Sequence, residues 1–230
     1  MTPHSLSTLP LPLIIAHRGY SSRALENSLS AFRLAVEAGC DGIELDIHLT
    51  RDGEIVVHHD RLVPGGQAIA ELSLVELRGI SLSDGSLIPT LEEVINVSAE
   101  LELFIEAKAL PLDGDDRLIE VFQRTAAPAR LHVHSFDHRI IARLATRLAA
   151  SSLGVLSTSY PIDPVGAVLD AGARVLWQEH QLIDLALVDR CAAAGIAVIA
   201  WTVNSAKDAE HLRELGVAGL CGNWPERLRL

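Results

Sequence analysis

The sequence predicts an α/β fold, a single-domain (β/α)8 TIM barrel, and three observations carry that reading. Short β-rich runs alternate with amphipathic helical segments along the chain, making about eight strand-then-helix units. No Pro-, Gly- or Ser-rich linker interrupts them, so residues 1–230 are expected to form one domain. Polar residues end many different strands, which is where barrels carry their chemistry. A doubly wound open sheet shares the alternation, but the unit count and the polar strand ends favour the barrel.

The expected elements follow in order. Strand Leu13–His17 emerges from an N-terminal stretch that lacks a basic region and a full apolar run, so it reads as strand and not as leader. In helix Ser28–Ala38, Leu29, Phe32, Ala35 and Val36 repeat at spacings of three and four, and Gly39 suits a left-handed cap. Strand Gly42–Leu49 comes next. Residues 50–90 then break the pattern with the turn Asp52-Gly53, a strand Glu54–His58 and the irregular Pro64-Gly65-Gly66. This stretch is expected to be an excursion inserted after the second strand, which returns His59 to the barrel mouth.

Regular alternation resumes with helix Leu91–Ala99, strand Leu103–Lys108, helix Asp116–Thr125 and strand Leu131–Ser135. Helix His138–Ala149, strand Leu153–Ser157, helix Val165–Ala171 and strand Arg174–Gln178 continue it. Helix Ile183–Ala194, strand Ala197–Val203, helix Ala206–Leu215, strand Gly219–Gly222 and a very short helix from Pro225 complete it. Gly172, Gly195 and Gly216 close helices as Gly39 does.

Composition narrows the function. Apolar residues make up 49% and charged residues 21%, which supports a sizeable core. The net charge of −11, without any basic stripe, argues against a nucleic-acid partner, although one Arg and one Lys suffice for a single phosphate. Cys40, Cys191 and Cys221 lack metal-site spacing and are odd in number, so a reducing, cytoplasmic location is expected. No apolar run has the length of a membrane span.

Strand alternation puts Glu44, Asp46 and His48 on one face of Gly42–Leu49. Carboxylates crowded into a barrel would be relieved by a divalent cation, whereas an exposed sheet face would show the same alternation. Glu106 and Lys108 repeat the pattern on another strand, and a plain ion pair is the alternative there. His17-Arg18-Gly19 combines a proton carrier, a phosphate-gripping guanidinium and a residue permitting close backbone approach. Alternation lets only one of His58 and His59 face the site, and His59 is the candidate. Trp201 can wall a pocket or pack in the core. His4, His138, His180 and His211 read as surface residues; His134 can line the site without a chemical role, and the three thiols read as structural.

Taken together, His17-Arg18-Gly19, Glu26-Asn27-Ser28, Gly39 to Asp46, Thr50-Arg51-Asp52-Gly53 and His59-Asp60 resemble the signature of glycerophosphodiester phosphodiesterases. Pro89 to Glu93, Phe104 to Lys108, Ser135-Phe136-Asp137 and Trp201 to Asn204 agree in order. The resemblance implies a TIM barrel and a divalent metal, Mg²⁺ or Ca²⁺, held by Glu44, Asp46 and Glu106. It implies His17 and His59 as an acid/base pair, with Arg18, Lys108 and Trp201 binding the substrate, a small glycerophosphodiester cleaved to glycerol 3-phosphate and an alcohol. It leaves open whether water or the substrate's own hydroxyl attacks first. Asn223 is a departure, because relatives carry an acid there. Two alternatives stand beside this reading: a lysophospholipase D-type or phosphatidylinositol-cleaving enzyme on the same barrel, and a non-catalytic phosphate-binding barrel. With aromatics at 4% and no basic amphipathic helix, a small water-soluble diester is preferred over a lipid.

Overall fold

The computed structural model describes residues 12–98, 100–149 and 152–229; His4, most of the stretch preceding the first strand and the Ala99 end of one expected helix lie outside them. Strand β1 (Leu13–His17) pairs in parallel with β2 (Gly42–Leu49), whose far end carries the short antiparallel β3 (Ile55–Val57). The ring continues through β4 (Glu102–Ala107), β5 (Leu131–Ser135), β6 (Leu153–Ser157), β7 (Val175–Glu179), β8 (Ala197–Trp201) and β9 (Gly219–Gly222). Because β9 pairs back with β1, the parallel strands form a closed (β/α)8 barrel.

The helices are α1 (Leu29–Glu37), α2 (Leu74–Leu77), α3 (Leu91–Val97), α4 (Leu112–Arg124), α5 (His138–Leu144), α6 (Pro164–Asp170), α7 (Leu185–Ala193), α8 (Ala206–Leu215) and α9 (Pro225–Leu228). No described helix is long and apolar enough to cross a membrane. Their starts follow side-chain chemistry. Ser28, Asp137, Asp163, Asp184 and Ser205 each accept a backbone N–H at a helix N-terminus, and Thr90 with Glu93 forms a capping box on α3.

Alternation divides each strand between two cores. Ile14, Ala16, Ile43, Leu45, Leu103 and Ile105 face outward and pack in the main buried cluster with helix residues such as Phe32 and Leu118. Leu13, Ile15, Phe104, Val175, Trp177, Ile199 and Cys221 fill the barrel interior. The same inward parity, carried two residues further, delivers His17, Asp46, Glu106, His134 and Trp201 to the C-terminal mouth. The apolar stacking below thus supports the polar groups above.

The interruption at 50–90 has its own small core of Val56, Val63, Ile69, Leu72, Leu77, Leu82 and Ile88. β2 is longer than its neighbours because Gly42–Ile47 pair with β4 and Ile47–Leu49 pair with β3. Several boundaries depart from expectation. α4 starts at Leu112 and not Asp116, because Arg143 binds Asp115 at 2.8 Å and draws the acidic run into helix. β8 stops at Trp201, after which Val203 N–H donates to the Cys221 carbonyl. α5 stops at Leu144, where Thr146 Oγ1 turns back to the Arg143 carbonyl.

At Gly222 a side chain is impossible without movement, since a Cβ would collide with the Val203 carbonyl oxygen. Gly222→Ala is expected to cost about 1–3 kcal/mol by overpacking, lowering the melting temperature by roughly 2–10 °C. Scanning calorimetry checks this, and an unchanged melting temperature would show that β9 yields freely.

Candidate active site

β1 ends in a turn built for close approach. Gly19 has φ of 78°, and a Cβ there would lie 2.8 Å from Ala31 of α1. Arg18 before it also has a positive φ, 54°, a conformation that costs a non-glycine residue energy and persists where its surroundings fix it. Here the surroundings are carboxylates. The Arg18 backbone N–H donates to Glu44 Oε2 at 3.2 Å, its guanidinium bonds Glu26 at 2.8 Å, and its Nε lies 3.3 Å from Asp46 Oδ2.

His17, just before this turn, has its Nδ1 2.7 Å from Asn223 Oδ1. An amide oxygen only accepts, so Nδ1 carries the proton and Nε2 presents a lone pair, 3.8 Å from Glu44 Oε2. Burial and the neighbouring Arg18 push His17 down to about 4, leaving it neutral near pH 7.

Three carboxylates converge from two adjacent strands. Glu44, Asp46 and Glu106 are 3%, 1% and 7% exposed. Asn27 Nδ2 donates to Asp46 Oδ2 at 2.7 Å, and Lys108 Nζ lies 3.0 Å from Asp46 Oδ1 and 2.8 Å from Glu106 Oε1. Burial opposes charge on Asp46, but Lys108, Arg18 and Asn27 outweigh it and hold that carboxyl below its usual range. Glu44 is pushed well up by burial and by the charges of Asp46 and Glu106. Glu106 is pushed up to about 7, by burial first and Asp46 second.

These opposite shifts give the metal-free protein opposite pH windows. A carboxyl raised on folding contributes stability below its ordinary value and loses it as pH climbs through the folded value; for Glu106 that window runs from 4.5 to about 7. Asp46, lowered from 3.8, contributes above its ordinary value and loses this as pH falls below it. In EDTA, melting temperature is therefore expected to peak between these windows and fall toward pH 8. A bound divalent cation should flatten that decline, which scanning fluorimetry from pH 4 to pH 8 would register.

His59 arrives on the excursion after β3. His48 Nε2 lies 3.2 Å from the His59 carbonyl and anchors that backbone, while Asp60 Oδ1 sits 2.8 Å from His59 Nδ1. His58 instead faces a separate hollow lined by Leu25, Glu26, Leu62 and Val63. Thr50 to Gly53 is structural, since Thr50 Oγ1 donates to Asp52, which in turn accepts from Leu74 N at the start of α2.

A cavity of about 100 Å³ is lined together by His17, Arg18, Glu44, His59, Glu106, Lys108 and Trp201, with Asp46 buried behind them. Trp201 meets Phe136 edge-on at 5.5 Å to form an apolar wall. Cys221 also lines the cavity; the three thiols are free and buried, and burial drives Cys221 well above its usual value, which suits a packing role. Among the residues expected at the surface, His138 and His180 are half-buried, and His138 Nε2 is 3.0 Å from the Leu156 carbonyl.

Sequence reasoning gave no role to two further residues here. Asn223 is the His17 partner, and only its place one strand-end away in the ring reveals it. His134, 1% exposed, reaches the cavity from β5, stacked on Trp177 at 4.2 Å. Glu44, Glu106 and His134 each offer a ligand atom, and all three atoms lie within 4.8 Å of one another. Two buried carboxylates whose pKa values are both raised, an imidazole and a small polar cavity fit a divalent cation.

Comparison with known proteins agrees with this geometry. The Glycerophosphoryl diester phosphodiesterase family pattern matches residues 17–227. A glycerophosphodiester phosphodiesterase of Caldanaerobacter subterraneus subsp. tengcongensis is 32% identical over 94% of this chain and 96% of its own. The structure of an Oleispira antarctica phosphodiesterase in complex with the product sn-glycerol-3-phosphate superposes with a TM-score of 0.86 at 25% identity, over 97% of this chain and 96% of that one. A glycerophosphodiester phosphodiesterase from Parabacteroides distasonis gives a TM-score of 0.84 at 26% identity, over 94% of each chain. A family match over residues 17–227, together with a relative 32% identical over nearly the whole chain, establishes that the chain belongs to the glycerophosphoryl diester phosphodiesterase family.

Proposed function

We propose that the protein hydrolyses glycerophosphodiesters, with water, to glycerol 3-phosphate and an alcohol. The observation that carries this reading is one small cavity lined at once by three histidines, two carboxylates and two cations. The Oleispira relative, bound to sn-glycerol-3-phosphate, supports a small water-soluble ligand in the same barrel. The whole chain acts as one domain, with the excursion supplying His59.

Glu44, Asp46 and Glu106 would hold the divalent cation, Mg²⁺ or Ca²⁺. When bound, it offsets negative charge growing on the phosphoryl oxygens. Arg18 and Lys108 add fixed positive charge to the same oxygens. His17, neutral and with Nε2 free, takes the proton from the attacking hydroxyl while Asn223 holds its ring. His59, oriented by Asp60, returns a proton to the departing alkoxide. Trp201 and Phe136 pack against the glycerol carbons. Three buried free thiols support a reducing compartment, so we place the reaction in the cytoplasm.

The test is release of glycerol 3-phosphate from glycerophosphocholine and glycerophosphoethanolamine with Mg²⁺, Ca²⁺ or EDTA. Release that EDTA abolishes is the expected result. Folded protein that releases none with any cation would point to a different phosphodiester substrate or to a binding role.

A further inference from the structure

His134 has no place in the reaction just described, yet it is the most buried histidine of the barrel mouth. Its ring is fixed by stacking on Trp177, 12° from parallel. Its Nδ1 has no hydrogen-bond partner among the described residues, a costly state for a buried polar atom. Its Nε2 lies 3.8 Å from Glu44 Oε1, too far for a hydrogen bond. The register places His134 directly beside Glu106 on the neighbouring strand.

That spacing is informative. Two donors held about 2.1 Å from one ion lie roughly 3–4 Å apart. The 3.8 Å gap between His134 Nε2 and Glu44 Oε1 suits two ligands of a shared cation better than it suits direct contact. Asp46 Oδ1 is likewise buried without a hydrogen-bond partner among the described residues, although Lys108 Nζ lies 3.0 Å away, so the carboxylates keep capacity for an ion beside His134.

We propose that His134 supplies a nitrogen ligand to the cation bound by Glu44, Asp46 and Glu106, so that the site takes a later first-row ion such as Co²⁺ more tightly than Mg²⁺ or Ca²⁺. Oxygen donors alone suit Mg²⁺ and Ca²⁺, whereas an imidazole adds affinity for the later, softer ions. The inference rests on the proposed cation site but not on turnover.

The experiment uses the full-length protein with Mn²⁺ and Co²⁺ as probes. Electron spin-echo modulation from histidine ¹⁴N is expected on bound Mn²⁺, and it should vanish in His134→Gln. Calorimetric titration should show Co²⁺ binding at least about tenfold tighter than Mg²⁺ in the wild type, with His134→Gln weakening Co²⁺ more than Mg²⁺ and so narrowing that ratio. His134→Asn, checked by circular dichroism, serves if the Gln variant does not fold. Bound Mn²⁺ without ¹⁴N modulation in the wild type overturns the proposal, as does modulation that persists in the variant or an equal loss of Co²⁺ and Mg²⁺ affinity. Either failure leaves hydrolysis with an oxygen-only site standing. Conversely, absence of glycerol 3-phosphate release would refute the hydrolytic reading while leaving the nitrogen ligand intact.

Discussion

His17→Ala is expected to lower kcat for glycerol 3-phosphate release by about 10²–10⁴-fold, the range for loss of a positioned proton carrier. Folding should change little. The variant gives up one hydrogen bond to Asn223, worth about 1 kcal/mol, or roughly 2–4 °C in melting temperature. Rate and stability therefore separate, and measuring both on one preparation distinguishes a chemical role from a structural one. His59→Ala should behave alike, because His59 is half-exposed and holds only Asp60 among side chains. Turnover within tenfold of wild type in either variant would remove that residue from the mechanism.

The sequence carried the barrel because strands and helices declare themselves locally. Apolar alternation and the Gly residues with φ near 70° at Gly39, Gly172 and Gly195 are near-neighbour signals. Alternation also placed Glu44 and Asp46 inward correctly, since both are buried and approach Arg18. What escaped depends on contacts distant in sequence. Asn223 meets His17 across 206 positions, and the start of α4 depends on Arg143 reaching back 28 residues to Asp115. His134 was visible as an inward residue but lacked meaning until the register set it beside Glu106. His48 likewise showed only its face, not that it would hold the His59 carbonyl.

Lys108→Met separates two functions of one ammonium group. Lys108 lies between Asp46 and Glu106, and both carboxylates, with burial opposing them, hold its proton more firmly than usual. Removing one partner from a buried charge cluster costs about 3–5 kcal/mol, because two inward carboxylates then face each other without compensation. In EDTA the variant is therefore expected to melt well below wild type, and a divalent cation should recover much of that loss by replacing the missing charge. Activity should not recover in parallel. If Lys108 also meets the phosphate, the metal-saturated variant still lacks a cation in the transition state, and kcat stays down by roughly 10²–10³-fold, as when an oxyanion donor is removed. Fluorimetry and turnover at saturating cation decide between these roles. Full activity in the refolded, metal-loaded variant would confine Lys108 to holding the carboxylates apart, and Arg18 would then be the one permanently charged cation among the described residues of the cavity left to grip the phosphate.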